Sequence, residues 1–180
     1  MQRIKFISLL LFLGIFLSSF YAFSGGGMPT KVLVRVVSKD AKVIGSGVGG
    51  ASVRIVDVET GKTLAQGKQE GGTGNTDRIM VAPRQRGKSV YGTPDAAFFL
   101  AEIPLERATR VEIHAEAPLA YPQAMQRGSK TVILVPGRDT AGDGIIIELD
   151  GLIVNILHPL SGSDLKKGEE VRVRAEVKML

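Results

Sequence analysis

Three glycines followed by an acidic residue form the stretch whose spacing most suggests a chemical site. Gly45, Gly47 and Gly50 spell G-x-G-x-x-G, and Asp57 follows a short apolar run. In a dinucleotide site, glycines at this spacing lead from a strand into a helix, whose N-terminal N–H groups bind the pyrophosphate. An acidic side chain further along then binds the ribose.

The residues after the glycines argue against a dinucleotide site. Residues 51–58, ASVRIVDV, are rich in β-branched side chains and alternate with a period of two, which predicts a strand rather than a helix. Asp57 also follows too closely, because the ribose partner normally lies about 20 residues further on. We therefore interpret the glycines as a link between two strands, and we expect no cofactor.

A long basic loop is the second candidate site. Residues 71–97 form a connection far longer than the usual ~2–5 residues of a hairpin, and such loops are often functional. One interpretation is a ligand or partner site, and the other is an ordered surface excursion packed by Ile79, Met80 and Val81. The side chains proposed for the site are Arg78, Arg84, Arg86, Lys88 and Tyr91.

Two aspartates and two histidines complete the set of polar candidates. Asp139 and Asp143 lie in a glycine-rich turn, which suits either a weak calcium site or a hairpin turn in which Asp bonds its own backbone. His114 and His158 form no motif by spacing, and His114 is expected to be half-exposed in the middle of a strand. We predict no metal site from these residues.

Catalytic motifs are missing from the sequence. The chain has no Cys, so it offers no thiol nucleophile, and it has no G-x-S-x-G elbow for a hydrolytic serine. We predict that the protein is not an enzyme.

The N-terminus has the layout of a secretory signal peptide. Arg3 and Lys5 precede an apolar run from Phe6 to Phe23, and Ala22 and Ser24 supply small residues before Gly25. Residues 1–24 are predicted to be cleaved, which places the protein in the periplasm or outside the cell. Because the run is close to the ~18 residues needed to span a membrane, an uncleaved anchor is the alternative and would be the only membrane contact.

Composition limits the mature chain to one domain-sized core. About 156 residues follow the cleavage site, enough for one sandwich that is stable without disulfides. Removing Arg3 and Lys5 lowers the formal charge of +5 by two. A charge this small does not indicate nucleic acid as a partner.

Short alternating segments predict an all-β fold. KVLVRVVS at residues 31–38 places Val32, Val34 and Val36 on one face, and the strand after the glycines does the same through Val53 and Ile55. About seven to nine such segments, separated by Gly, Pro, Asp and Asn, indicate an antiparallel sandwich over residues 28–151.

Within residues 31–123 the sequence resembles carboxypeptidase-regulatory-like, or transthyretin-like, domains. Gly50–Val53 matches a G-A-x-V core, Thr60–Lys62 matches a T-G-K turn, and Pro94–Phe98 stands near a D-x-x-G-x-F step, with Ala97 in place of its glycine. The segment RVEIHAEAPLAYPQ is similar to a later strand of that family. The resemblance implies a seven-stranded Ig-like sandwich that serves as an accessory or binding module without catalysis, although the long loop departs from the compact family form.

The C-terminal residues 152–180 resemble the opening of a bacterial Ig-like domain. The pattern includes Ile156, Pro159, Gly162, Leu165 and a Gly168-Glu169 step before alternating valines. These strands either close onto the first sandwich or begin a truncated second domain. In the second case we expect the last strand to be an exposed edge, blunted by a charged face formed by Arg172, Arg174, Glu176 and Lys178.

Two functions are compatible with these features. The first is an exported, non-catalytic module that contacts another envelope or secreted protein. The second is a ligand- or ion-binding module that uses loop 71–97 or the Asp139–Asp143 turn.

Overall fold

The computed structural model describes residues 26–39 and 41–180, and the predicted signal peptide lies outside these residues. Nine strands form the framework of the described chain. They are β1 (Met28–Ser38), β2 (Ala51–Asp57), β3 (Thr63–Gln69), β4 (Phe99–Leu105), β5 (Thr109–Ala117), β6 (Gln126–Leu134), β7 (Ile145–Leu149), β8 (Leu152–His158) and β9 (Arg174–Met179).

The first seven strands form two sheets that pack face to face. One sheet has the order β4-β1-β7 and the other β3-β2-β5-β6, so the predicted all-β sandwich is confirmed. All strand pairs are antiparallel except β1 with β7, which run parallel from the Val34–Ile145 pair to the Ser38–Leu149 pair.

Alternating side chains from both sheets build the main core. The predicted inward face of β1, namely Val32, Val34 and Val36, is fully buried, and so are Val53 and Ile55 of β2. These side chains share one apolar cluster with inward residues of β4, β5 and β7. The period-two pattern in the sequence therefore correctly predicts which face of these strands lies inside.

The glycine motif is a tight link between β1 and β2. A short 3₁₀ turn at Ser46–Val48 is followed directly by the strand that begins at Ala51, as predicted. Gly49 and Gly50 have positive φ angles of 90° and 72°, which glycine adopts without steric cost. A Cβ on Gly50 would also collide with the carbonyl oxygen of Gln69.

Asp57 ends β2 by capping the following turn. Its Oδ1 accepts hydrogen bonds from the N–H of Glu59 at 2.8 Å and of Thr60 at 3.1 Å. The bond from Thr60 is the main reason that the pKa of Asp57 lies below its ordinary value, although partial burial opposes the shift. The carboxylate is thus part of the β2–β3 turn.

Gln69 is a fully buried polar side chain at the end of β3. Its Nε2 donates to the carbonyls of Val36 at 2.9 Å and Ile44 at 2.8 Å, and its Oε1 accepts from the N–H of Val36 at 2.7 Å. The pairing of β4 with β1 extends only as far as Val34. The Gln69 amide therefore satisfies backbone groups of β1 beyond the reach of β4.

Strands β8 and β9 form a separate two-stranded hairpin. Ile153 and Leu180 are buried in the main core, and Lys178 Nζ donates to the Tyr121 hydroxyl at 3.0 Å. The C-terminal strands therefore rest on the sandwich without joining either of its sheets. Within residues 26–39 and 41–180, no helix has the length and apolar character needed to cross a membrane.

Candidate functional site

Loop 71–97 is folded around a second, small apolar cluster that it shares with residues near the end of β1. A single π-helical turn, Asp77–Val81, begins after Thr76. The side-chain Oδ1 of Asn75 accepts the N–H of Arg78 in this turn at 2.8 Å. Ile79 is buried with Tyr91 in this cluster, which also includes Val37, Val43, Ala96 and Ala97. The expectation that Met80 and Val81 also pack inside is wrong, because both are exposed.

The carboxylate of Asp143 fastens the second half of this loop. It accepts hydrogen bonds from the N–H groups of Val90 and Tyr91 at 2.8 Å and of Gly92 at 2.9 Å, and also from the Ser89 hydroxyl. Burial raises the pKa of Asp143, but these hydrogen bonds outweigh it, so the pKa lies below its ordinary value. Asp143 is therefore ionised at neutral pH and used as a structural anchor.

A buried arginine of β1 donates hydrogen bonds to the backbone of the same turn. Arg35 of β1 donates through Nη1 to the carbonyl of Asp143 at 2.8 Å and to that of Gly142 at 3.3 Å. Its guanidinium also lies 5.9 Å from the centroid of the Phe98 ring, within cation–π range. Arg35 thereby connects the sandwich to the segment that carries Asp143.

The two aspartates proposed as ion ligands have different partners. Asp139 accepts the N–H of Lys31 at 2.7 Å, whereas Asp143 binds loop 89–92. In the described chain, no three His, Asp or Glu side chains are grouped so as to hold a metal ion. The expectation that these aspartates bond the backbone of their own turn is therefore wrong, because each carboxylate ties the turn to a segment distant in sequence.

The basic residues of the loop meet in one shallow cleft. Arg78 and Lys88 line a cavity of about 230 Å³ together with Arg84. The Arg78 guanidinium is held in place because Nε and Nη2 donate to the Ser89 carbonyl at 3.1 and 2.6 Å. The structure therefore brings three of the five predicted site residues together.

The other two predicted residues lie elsewhere in the loop. Arg86 is exposed but does not line the cleft, and Tyr91 is buried in the apolar cluster. A ligand in the cleft would meet cations without an aromatic ring to stack on.

The outer face of the four-stranded sheet carries a grid of polar side chains. His114, half-exposed as predicted, lies opposite Arg54 of β2 and Ser129 of β6. Its Nε2 is 3.5 Å from a Glu112 oxygen, while Glu116 pairs with Arg127 at 2.8 Å. A cleft of about 400 Å³ crosses this face beside Arg54 and His114. The Glu116–Arg127 ion pair and the mixture of polar side chains are those of an ordinary solvated sheet face.

The C-terminal hairpin has an apolar face that the sequence pattern did not predict. The register pairs Leu152 with Met179, Val154 with Val177, and Ile156 with Ala175, so these six side chains share one face. All six are exposed. Of the 17 large apolar side chains that are exposed in the described part of the chain, nine lie between Leu152 and Met179.

The opposite face of the hairpin is the one that contacts the sandwich. Ile153 is fully buried, and Lys178 lies over the Tyr121 ring with its Nζ 5.4 Å from the centroid. Glu176 and Lys178 are partly buried, with their charged groups 3.3 Å apart. The expectation that the charged face is the exposed one is wrong for this pair, because the apolar face is turned to solvent instead.

His158 lies at the far end of the hairpin. It pairs with Arg174 in the β8–β9 register, and both line a small cavity with Leu157 and Arg172. This end is therefore basic, in contrast to the uncharged apolar face.

Comparison with protein-family models, curated proteins and solved structures found no match to this chain.

Proposed function

We propose that this protein is an exported, non-catalytic β-sandwich module that works by binding another protein. The observation that carries this proposal is the apolar face of hairpin β8–β9, formed by Leu152, Val154, Ile156, Ala175, Val177 and Met179. A contiguous apolar surface of this kind marks a protein contact site more often than an isolated exposed side chain does.

The physical chemistry of a hairpin supports this reading. Two strands without a second layer are marginally stable in water, because they have no core of their own. Here only the base of the hairpin is buried, through Ile153 and Leu180. A partner that covers the apolar face would complete a core on that side and stabilise the hairpin further.

The partner implied by this face is itself a β-structured protein surface. The face carries no charge and repeats its side chains at the spacing of a pleated sheet. Such a surface matches a second sheet packed about 10 Å away, as in any sandwich. A nucleic acid or a small polar ligand would gain nothing from it.

Export and family membership belong to the same proposal. The basic-apolar-small layout of residues 1–24 supports secretion to the periplasm or the cell exterior. The G-A-x-V and T-G-K motifs, together with a sandwich of seven strands, support a carboxypeptidase-regulatory-like or transthyretin-like accessory domain over residues 28–151.

Site-directed photocrosslinking in the producing cells tests the proposal. Val177 would be replaced by p-benzoylphenylalanine, and Ile133, an exposed apolar residue on β6, would serve as the matched control. We expect a discrete crosslinked protein from position 177 and none from position 133. Equal crosslinking at both positions, or none at position 177, would refute a contact through the hairpin.

A second candidate function is the binding of a small anion in the basic cleft. The observation that favours it is the convergence of Arg78, Arg84 and Lys88 around one cavity, with Arg78 already held by Ser89. Inorganic phosphate is a suitable probe, because arginine pairs bidentately with its oxygens. We expect phosphate to shift the amide resonances of residues 78–90, and Arg84→Ala should abolish the shift while Arg86→Ala should not. The same response in both variants would argue against this cleft.

A further inference from the structure

The apolar hairpin face defined above lacks any covering layer within the described chain. Its six side chains are exposed even though their strands are regularly paired. The rear of the hairpin is fixed to the sandwich through Ile153, Leu180 and the Lys178–Tyr121 hydrogen bond. The front is therefore presented outward by a supported element.

The face is chemically complementary to itself. It contains no charged or polar side chain, so placing it against an identical face creates no like-charge repulsion and buries no unpaired polar group. The three cross-strand rows give a ridge of large residues at Leu152–Met179 and a low point at Ile156–Ala175. A two-fold axis through the middle row would set the ridge of one copy against the low point of the other.

The charges of the loop that joins the two strands do not oppose the approach of a second copy of the chain. Between β8 and β9 it carries the cations Lys166, Lys167 and Arg172 and the anions Asp164, Glu169 and Glu170. Because these charges balance, two identical loops brought side by side would not repel each other strongly.

We infer that the occupant of the apolar hairpin face is a second copy of this chain, docked face to face to form a sandwich of two hairpins. This inference rests on the proposed function, since it names the partner for the same surface. Each hairpin would supply the layer that the other lacks, at the usual sheet separation of about 10 Å.

The size of the face indicates a weak dimer. Its side chains are each roughly half-exposed, so together they bury at most a few hundred Å² per copy, whereas a standard stable interface buries about 800 Å² per partner. We therefore expect dissociation constants in the micromolar range, with monomer and dimer in rapid exchange.

Sedimentation equilibrium of the purified exported chain tests the inference. The wild-type protein should shift from monomer to dimer between about 1 and several hundred micromolar, bracketing that range. Val154→Glu and Val177→Glu should each raise the dissociation constant by at least tenfold, because dimerisation would bury a carboxylate at the centre of the contact. Ile133→Glu, which places the same charge on another exposed strand position, should leave the constant unchanged.

Disulfide crosslinking tests the same contact if a glutamate variant fails to fold. The chain contains no Cys, so a single Val177→Cys variant reports on one position alone. Mild oxidation should give a disulfide-linked dimer at position 177, near the proposed two-fold axis, and little at Ile133→Cys.

Opposite results would overturn the inference. A wild-type chain that stays monomeric at several hundred micromolar, or equal disulfide yields at positions 177 and 133, would exclude the second copy as occupant. If position 177 nevertheless crosslinks to a different protein in cells, the proposed function stands and only the identity of the occupant changes. If neither assay finds a contact, both proposals fail.

Discussion

At the residue scale, the sandwich depends on a few polar side chains that complete backbone hydrogen bonding. Gln69 and Asp143 each bind segments distant in sequence, namely the end of β1 and loop 89–92. Such residues are hard to predict from sequence, because the residue type alone does not show whether a Gln is buried. Only the pairing of the strands shows it. Gln66 and Gln69 lie on the same strand, yet only Gln69 is buried.

Replacing Gln69 by Leu should destabilise the fold by about 3 kcal/mol, because it leaves the buried N–H of Val36 without an acceptor. Gln66→Leu, on the outer face of the same strand, should change the free energy of unfolding by less than about 0.5 kcal/mol. Urea denaturation of both variants measures the difference. Equal effects would show that the Gln69 hydrogen bonds contribute little.

The lowered pKa of Asp143 predicts a pH-dependent contribution to stability. Because its pKa is lower in the folded protein than the ordinary 3.8, the carboxylate stabilises the fold fully above pH 3.8. This contribution is lost as the pH falls through the lower, folded-state pKa. The stability difference between wild type and Asp143→Asn should thus be constant near neutral pH and shrink below pH 3.8.

Asp139→Asn is the matched control for this titration. Asp139 lies in the same turn but accepts only one backbone hydrogen bond and is exposed. Denaturation of the three proteins across a pH series should show the larger, pH-dependent loss for Asp143→Asn only. A difference for Asp143→Asn that persists unchanged at pH 2 would contradict its role as an ionised anchor.

At the element scale, the glycine motif has become a structural link whose positions are not equivalent. Gly50 has a φ of 72° and packs against Gln69, whereas Gly47 has open space around its Cα. Gly50→Ala should therefore cost about 2 kcal/mol or more, and Gly47→Ala should be nearly neutral. Thermal denaturation distinguishes them. A phosphate-binding loop would instead make both substitutions weaken phosphate binding.

The sequence predicts sandwich strands such as β2 and β5 well because their buried residues alternate with exposed or half-exposed ones. Val32, Val34 and Val36 alternate with polar or half-exposed residues, so period two identifies the buried side. Period two does not identify the buried face of strand β8, because Leu152, Ile153 and Val154 are apolar in succession. Only the packing of Ile153 against the core shows that the other two point outward.

The candidate sites were predictable only in part for a related reason. Clustering of basic residues within 71–97 is visible in the sequence, and three of them do line one cleft. The exclusion of Tyr91 from that cleft depends on Asp143, more than fifty residues later, which fixes the backbone at Tyr91. Long-range contacts of this kind leave no local pattern in the chain.

At the scale of the whole molecule, the described chain is a self-contained sandwich that presents one apolar hairpin. Residues 152–179 carry nine of the 17 large apolar side chains that are exposed in the described part of the chain. The outer face of the four-stranded sheet is polar by comparison, and this contrast supports a docking role for the hairpin. The resemblance to regulatory-like accessory domains remains a prediction that agrees with such a role.

Oxidative footprinting of methionines in the intact wild-type protein tests this account most directly. Met179 lies on the apolar hairpin face and Met80 in the long loop, and both are exposed in the chain alone. We predict that Met179 is protected from oxidation in the producing cells while Met80 is not, and that both oxidise readily in dilute purified protein. Oxidation of Met179 as fast as Met80 in cells would contradict the claim that this face is covered by a partner.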